Sequence, residues 1–73
     1  SQVSSSEREA AKVIRNLLDG CSNSACSVNT LFTTLKIDGF DEDTIQSGIK
    51  FLVGEGEIHR KSGMIIKGGY FDE

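Results

Sequence analysis

The apolar period of this chain changes once, after Gly56, from helical to extended, and that switch narrows the folds open to it more than any other feature. Upstream, Ala10, Val13, Ile14, Leu17 and Leu18 recur at helical spacing, as do Leu31, Phe32 and Leu35. Ile45, Ile49 and Leu52 then form an i, i+4, i+7 stripe. Downstream, residues 57–60 and 64–67 are two short extended runs with Ile58 facing inward. Lys61, Ser62 and Gly63 separate them, and Gly63 is free to take positive φ in the turn. Three helices followed by a hairpin, within 73 residues, predict one small α+β domain.

The element boundaries carry their own signals. Residues 1–5 are Ser-rich and aperiodic, the end of a linker, so the domain is expected to span 6–73. Ser6, with Glu9 three residues later, predicts a capping box at the first helix, and Gly20 is its natural stop. Cys21 to Ser27 reads as a loop. Val28 is expected as a single extended residue and Asn29 as the cap of the second helix. Asp41 or Asp43 caps the third helix, which Gly56 ends. Gly48 costs that helix about 1 kcal/mol relative to Ala, so it is expected to admit a closely packed neighbour. With one extended residue before helix two completing a small sheet, this is the order of a winged helix-turn-helix. Because position 1 is Ser, the chain is expected to be a segment of a larger protein or a processed product.

Charge placement separates the uses of such a fold. The net charge is −3, the wrong sign for a typical nucleic-acid binder. Residues 37–57 carry Lys50 against Asp38, Asp41, Glu42, Asp43, Glu55 and Glu57, whereas residues 58–67 hold Arg60, Lys61 and Lys67 with no acid. A third helix that reads DNA presents Arg, Lys, Asn or Gln to the major groove. Here it opens with Asp41, Glu42 and Asp43, so DNA binding no tighter than about 10⁻⁴ M is expected near physiological salt. A winged helix contacting nucleic acid through its basic wing is the alternative, and a scaffold for stable subunit assembly is a third reading.

No catalytic centre is expected, because His59 has no nucleophile and orienting acid placed for it by any motif. Cys21, Cys26 and one distant His fall short of the four ligands of a closed zinc site, so neither metal nor cofactor is expected. The cysteines read as passive thiols near a loop, and replacing both with Ser is expected to move stability by little more than about 1 kcal/mol. No apolar run approaches the roughly 18 residues of a membrane span, and no membrane partner is expected.

The segment Ile49 to Ile58 carries a resemblance to a known family. Phe51-Leu52, two variable residues, Glu55-Gly56, one variable residue and Ile58 resemble the end of helix three and the first wing strand in the C-terminal winged-helix domain of the middle subunit of replication protein A. That subunit belongs to the eukaryotic single-strand DNA-binding trimer. Val13, Ile14, Leu17 and Leu18 of the first helix and Leu31 and Leu35 of the second fit at the family's distances, so the likeness covers about residues 6–73. It implies a nuclear, non-catalytic docking module on a flexible linker. Such a module recruits DNA repair, recombination, replication or telomere proteins by binding a short amphipathic, often basic helix.

The resemblance also implies a site on the wing sheet and chain end. Glu55 corresponds to the family's charged residue, Ile58 to the residue two after the Gly, and His59 to a wing position where relatives often carry Tyr. Asp72 falls where relatives place an acid. Val53, Glu57, Tyr70 and Phe71 complete the expected partner-binding set, supplying apolar contacts and a further negative charge. The turn Arg60-Lys61-Ser62-Gly63 departs from the family's commonly acidic wing, and it suits a diverged species or a telomere-dedicated paralogue of the subunit.

Overall fold

A computed structural model describes residues 4–69. Its elements are α1 (Ser5–Asp19), a 3-10 turn (Ser22–Ser24), β1 (Ala25–Ser27), α2 (Val28–Ile37), α3 (Glu42–Gly54), β2 (Ile58–Lys61) and β3 (Met64–Lys67). The three strands form one antiparallel sheet in the order β1-β3-β2. The class is therefore α+β, three helices and a three-stranded sheet, an arrangement compatible with a winged helix.

Two N-termini differ from the sequence expectation. Helix α1 is capped by Ser4 rather than Ser6: Ser4 Oγ accepts from the Glu7 N–H at 3.2 Å, and Glu7 Oε1 accepts from the Ser4 N–H at 2.9 Å. The sequence holds two overlapping Ser-x-x-Glu boxes, and the upstream one closes; its Glu7 is also hydrogen-bonded by the Ser47 side chain of α3. At α2, Ser27 rather than Asn29 is the cap, its Oγ accepting from the Thr30 N–H at 3.1 Å. Val28 is accordingly the first helical residue, and the extended segment lies one step earlier, at Ala25–Ser27. Helix α3 follows expectation, with Asp41 Oδ1 accepting from the Thr44 N–H at 2.8 Å.

The core is built from Ala10, Ala11, Ile14 and Leu18 of α1, Leu31 and Leu35 of α2, and Ile45, Ile49 and Leu52 of α3; Cys26, Ile58 and Ile65 add one residue from each strand. Val13, Leu17, Phe32, Phe40 and Phe51 pack around it, half-buried. The tightest approach is between α1 and α3. A Cβ on Gly48 would stand 3.1 Å from the Ala10 Cβ and 3.4 Å from both the Ala11 nitrogen and Ile14 Cδ1, so the glycine admits the neighbouring helix as expected. The hairpin turn is shorter than expected, because Lys61 belongs to β2 and only Ser62 and Gly63 connect the strands. Both have positive φ, 53° and 76°, the signature of a type I′ turn matched to the right-handed strand twist.

Cys26 lies in β1 within the core, not in a loop, and is 5% exposed. Burial first, and then the neighbouring Cys21, pushes its thiol above the ordinary cysteine range, so the thiolate that would be nucleophilic is disfavoured. The expected consequence of substitution changes accordingly. Cys21→Ser should be near neutral, whereas Cys26→Ser should cost about 1–3 kcal/mol by placing a hydroxyl in the core. Cys26 Sγ lies 3.4 Å from the Ser27 carbonyl. Urea denaturation of the two single variants checks this: equal losses would contradict the placement of Cys26.

Candidate functional site

The sheet register decides which side chains of the hairpin are available. Cys26 pairs with Ile65, and Ile65 with Arg60, so these three share the face toward the helices, as do Ile58 and its partner Lys67. Ala25, Ile66 and His59 form the corresponding row on the opposite face, with Ser27, Met64 and Lys61 beside them. Ala25, Met64 and Ile66 are half-buried there, on the side away from the core. His59 is half-buried as well, its Nδ1 2.9 Å from the Gly68 carbonyl, a contact that ties the end of β3 back to β2.

This register removes Ile58 from the expected contact set. It is 2% exposed and part of the core, because it shares its face with Ile65, whereas His59 lies on the opposite face. Glu57 is not a free rim charge either. Its carboxylate is held by Arg15 of α1 through two hydrogen bonds, 2.7 Å from Nε and 3.0 Å from Nη2. The guanidinium keeps that carboxyl below the ordinary glutamate range. Glu55 is exposed at the end of α3, where its backbone N–H donates to the Phe51 carbonyl and that of Gly56 to the Val53 carbonyl, closing the helix. Its charge reaches Arg15, since it contributes to holding that guanidinium protonated.

Val53 is exposed, at 45%, but stands apart from Glu57, on the flank of α3 where Lys50 and Arg60 converge. The expected surface is thus divided by the hairpin. Glu57 and Ile58 line a cleft of ≈ 260 Å³ against α1, with Leu18 and Gly68. Arg15–Glu57 and Asp19–Lys67, the latter at 2.9 Å, pair the charges at its edge. Val53 lies in a separate opening of ≈ 450 Å³. Tyr70, Phe71 and Asp72, the remaining members of the expected set, lie outside the described residues.

Ala25, Met64 and Ile66 were absent from the expected set. The signal for Ile66 is present in the adjacent pair Ile65-Ile66, because two consecutive apolar residues in a strand must face opposite sides. Arg15, the partner of Glu57, lies 42 residues away in sequence and carries no comparable signal.

The paired acids give the fold a defined acid response. Glu57, Asp41 and Glu7 are all held below their ordinary pKa: Glu57 by Arg15, Asp41 by the Thr44 backbone N–H, and Glu7 by the Ser4 backbone and then the Ser47 hydroxyl of α3. A carboxylate whose folded pKa is depressed contributes stability that is complete above its unfolded value, about 4, and is lost as pH falls through the folded value. The melting temperature should therefore fall between about pH 5 and pH 3. Glu57→Gln should lower it at pH 7 by no more than a few degrees, the scale of an exposed ion pair, and flatten that fall. An unaltered acid slope in Glu57→Gln would contradict the role given to the Arg15 pair.

None of the described helices is long and apolar enough to cross a membrane. In comparisons with known proteins, the chain matches no family model, no curated protein and no solved structure.

Proposed function

We infer that the chain is a winged-helix protein-docking module, similar to the C-terminal domain of the replication protein A middle subunit or of a telomere-dedicated paralogue. In this reading it is not an enzyme. It recruits DNA-processing proteins in the nucleus by binding a short amphipathic helix. The observation that carries the reading is the outer face of the sheet, where Ala25, Met64 and Ile66 present half-buried apolar surface on the side away from the core. An amphipathic helix buries its i, i+3/i+4 and i+7 residues on such a face. Basic flanks on that helix complement Glu55, which is exposed at the end of α3 and appears in no ion pair among the described residues.

A surface of this size supports transient binding, at micromolar affinity or roughly −7 to −8 kcal/mol. The test is a heteronuclear NMR titration with a helical peptide carrying leucines at i, i+3 and i+7 and lysines on its flanks. Amide shifts should concentrate at Ala25, His59, Met64, Ile66 and residues 68–73. Glu55→Lys should weaken binding several-fold while the spectrum stays folded. Shifts confined to α1, or an unchanged affinity in Glu55→Lys, would overturn the assignment.

A further inference from the structure

The exposed flank of α3 carries charge of the opposite sign to the chain as a whole. Two openings, of ≈ 450 Å³ and ≈ 410 Å³, meet at Gln46 and Arg60 and together form a trough along the helix from Glu42 to Val53. Eleven helical steps make that trough about 16 Å long, or three turns of a partner helix. Its floor is apolar toward the C-terminal end of α3, where Ile49 lies beneath and Val53 is exposed, and more polar toward Glu42, where Phe32 is half-buried beside Asn29 and Thr33.

Its rim is basic. Lys36, Lys50 and Arg60 stand against the single acid Glu42, in a chain whose net charge is −3. Lys36 Nζ lies 3.9 Å from Glu42 Oε2, whereas Lys50 and Arg60 make no ion pair with any described residue. Arg60 comes from the helix-facing side of β2, so the hairpin itself delivers the second cation to the α3 flank. Two cations that pair with no described residue, lining the same opening as an exposed apolar residue, fit a ligand that carries acids around an apolar stripe.

We propose that this trough is a second docking surface, taking an acidic amphipathic helix whose apolar residues lie over Ile49 and Val53 and whose carboxylates meet Lys50 and Arg60. Nucleic acid fits less well. The N-terminal turn of α3, which would approach the bases in a helix laid in the major groove, offers Glu42 and Asp43, and Asp41 caps it. Those carboxylates repel phosphate, and Gln46 is the one amide side chain on α3 that lines the trough. The two docking surfaces lie on different sides of the molecule and demand peptides of opposite charge, so each can fail without the other.

The test titrates the full 73-residue chain with two 14-residue helical peptides that share leucines at i, i+3 and i+7, one flanked by Glu and the other by Lys, and with a 20-base-pair DNA duplex. The acidic peptide is expected to shift the amides of Gln46, Lys50, Val53 and Arg60. Lys50→Glu combined with Arg60→Glu should weaken it about tenfold or more at low salt and leave the basic peptide's affinity unchanged. Lys50→Glu alone, at an exposed helical site, keeps the test informative if the double variant is unstable, and should give a smaller loss of the same sign. The proposal is overturned if the acidic peptide leaves these amides unmoved at millimolar concentration, or shifts the outer sheet face instead. It is also overturned if the duplex binds at micromolar concentration through Lys50 and Arg60 in preference to the peptide.

Discussion

Gly48→Leu is expected to unfold the domain, or to leave it so weakly stable that its thermal transition falls near ambient temperature. The β-carbon alone would stand 3.1 Å from the Ala10 Cβ and 3.4 Å from the Ala11 backbone nitrogen, and neither atom sits on a flexible side chain that can swing away. The remaining three carbons of Leu can be placed only by separating α1 from α3. Those two helices supply most of the core: Ala10, Ala11, Ile14 and Leu18 face Ile45, Ile49 and Leu52. Overpacking a well-filled core costs about 1–3 kcal/mol when the surroundings can adjust, and a rigid helix backbone puts this site above that range. A domain of 73 residues has a total stability of only about 4–11 kcal/mol to lose. Gly48→Ala provides the contrast. It regains about 1 kcal/mol of helix propensity, which opposes the single tight contact with Ala10, so its effect should stay within about 1 kcal/mol of zero. A Leu variant that melts within a few degrees of the parent would show that the α1–α3 spacing is wider than described.

Gly48 was legible in the sequence because a glycine weakens a helix, and inside a strong apolar stripe that loss is offset where a second backbone comes close. The helices were legible for a related reason, since their apolar periods extend over several residues and one shifted position does not obscure them; the second hairpin strand was legible as the short apolar run after Gly63. What escaped was local competition between equivalent signals. Ser4 and Ser6 each stand three residues before a Glu, and nothing within the box tells which serine closes it; the box that closes is the one whose Glu7 also meets Ser47 of α3, a contact between helices that the local sequence does not show. Likewise Ser27 and Asn29 are both good caps. Ser27 wins because Cys26, just before it, is drawn into the sheet opposite Ile65, and a three-residue strand of Ala, Cys and Ser is too short to show a period of two.

The candidate site was less legible than the fold, because it depends on which strand residues face outward and on which charges meet across the sequence. Taking Ile58 as a contact residue was consistent with the position of the hairpin but not with its register. Glu57 was expected at the rim, yet its carboxylate is already engaged by Arg15. Val53, close to Glu57 in sequence, belongs to another surface altogether, since α3 ends between them and the chain turns before β2 begins. The basic turn was visible as a departure from the resembling family. That Arg60 reaches α3 rather than solvent beyond the wing follows only from its pairing with Ile65.

The same pairing leads to a prediction in which two adjacent isoleucines have opposite fates. Ile65 is fully buried, on the face shared with Cys26 and Arg60, whereas Ile66 is half-buried on the face shared with Ala25 and His59. Ile65→Asp places an unpaired carboxylate among Cys26, Ile58 and the helices. Burial of an unsatisfied charge costs more than about 4 kcal/mol, a large share of the domain's stability, so the variant should lose its cooperative transition and its dispersed amide spectrum. Ile65→Ala, a milder change at the same site, should cost about 2–5 kcal/mol through the cavity it leaves. Ile66→Asp is different. It replaces apolar surface that is already partly in water, costs about 1 kcal/mol or less in strand preference, and should leave the spectrum folded. It should nonetheless weaken the lysine-flanked peptide at least about tenfold by removing the central apolar contact of the outer face. A folded Ile65→Asp would show that the strand register is displaced by one residue. An Ile66→Asp variant that binds the peptide as the parent does would remove the sheet face as the docking surface, whatever the affinity proves to be.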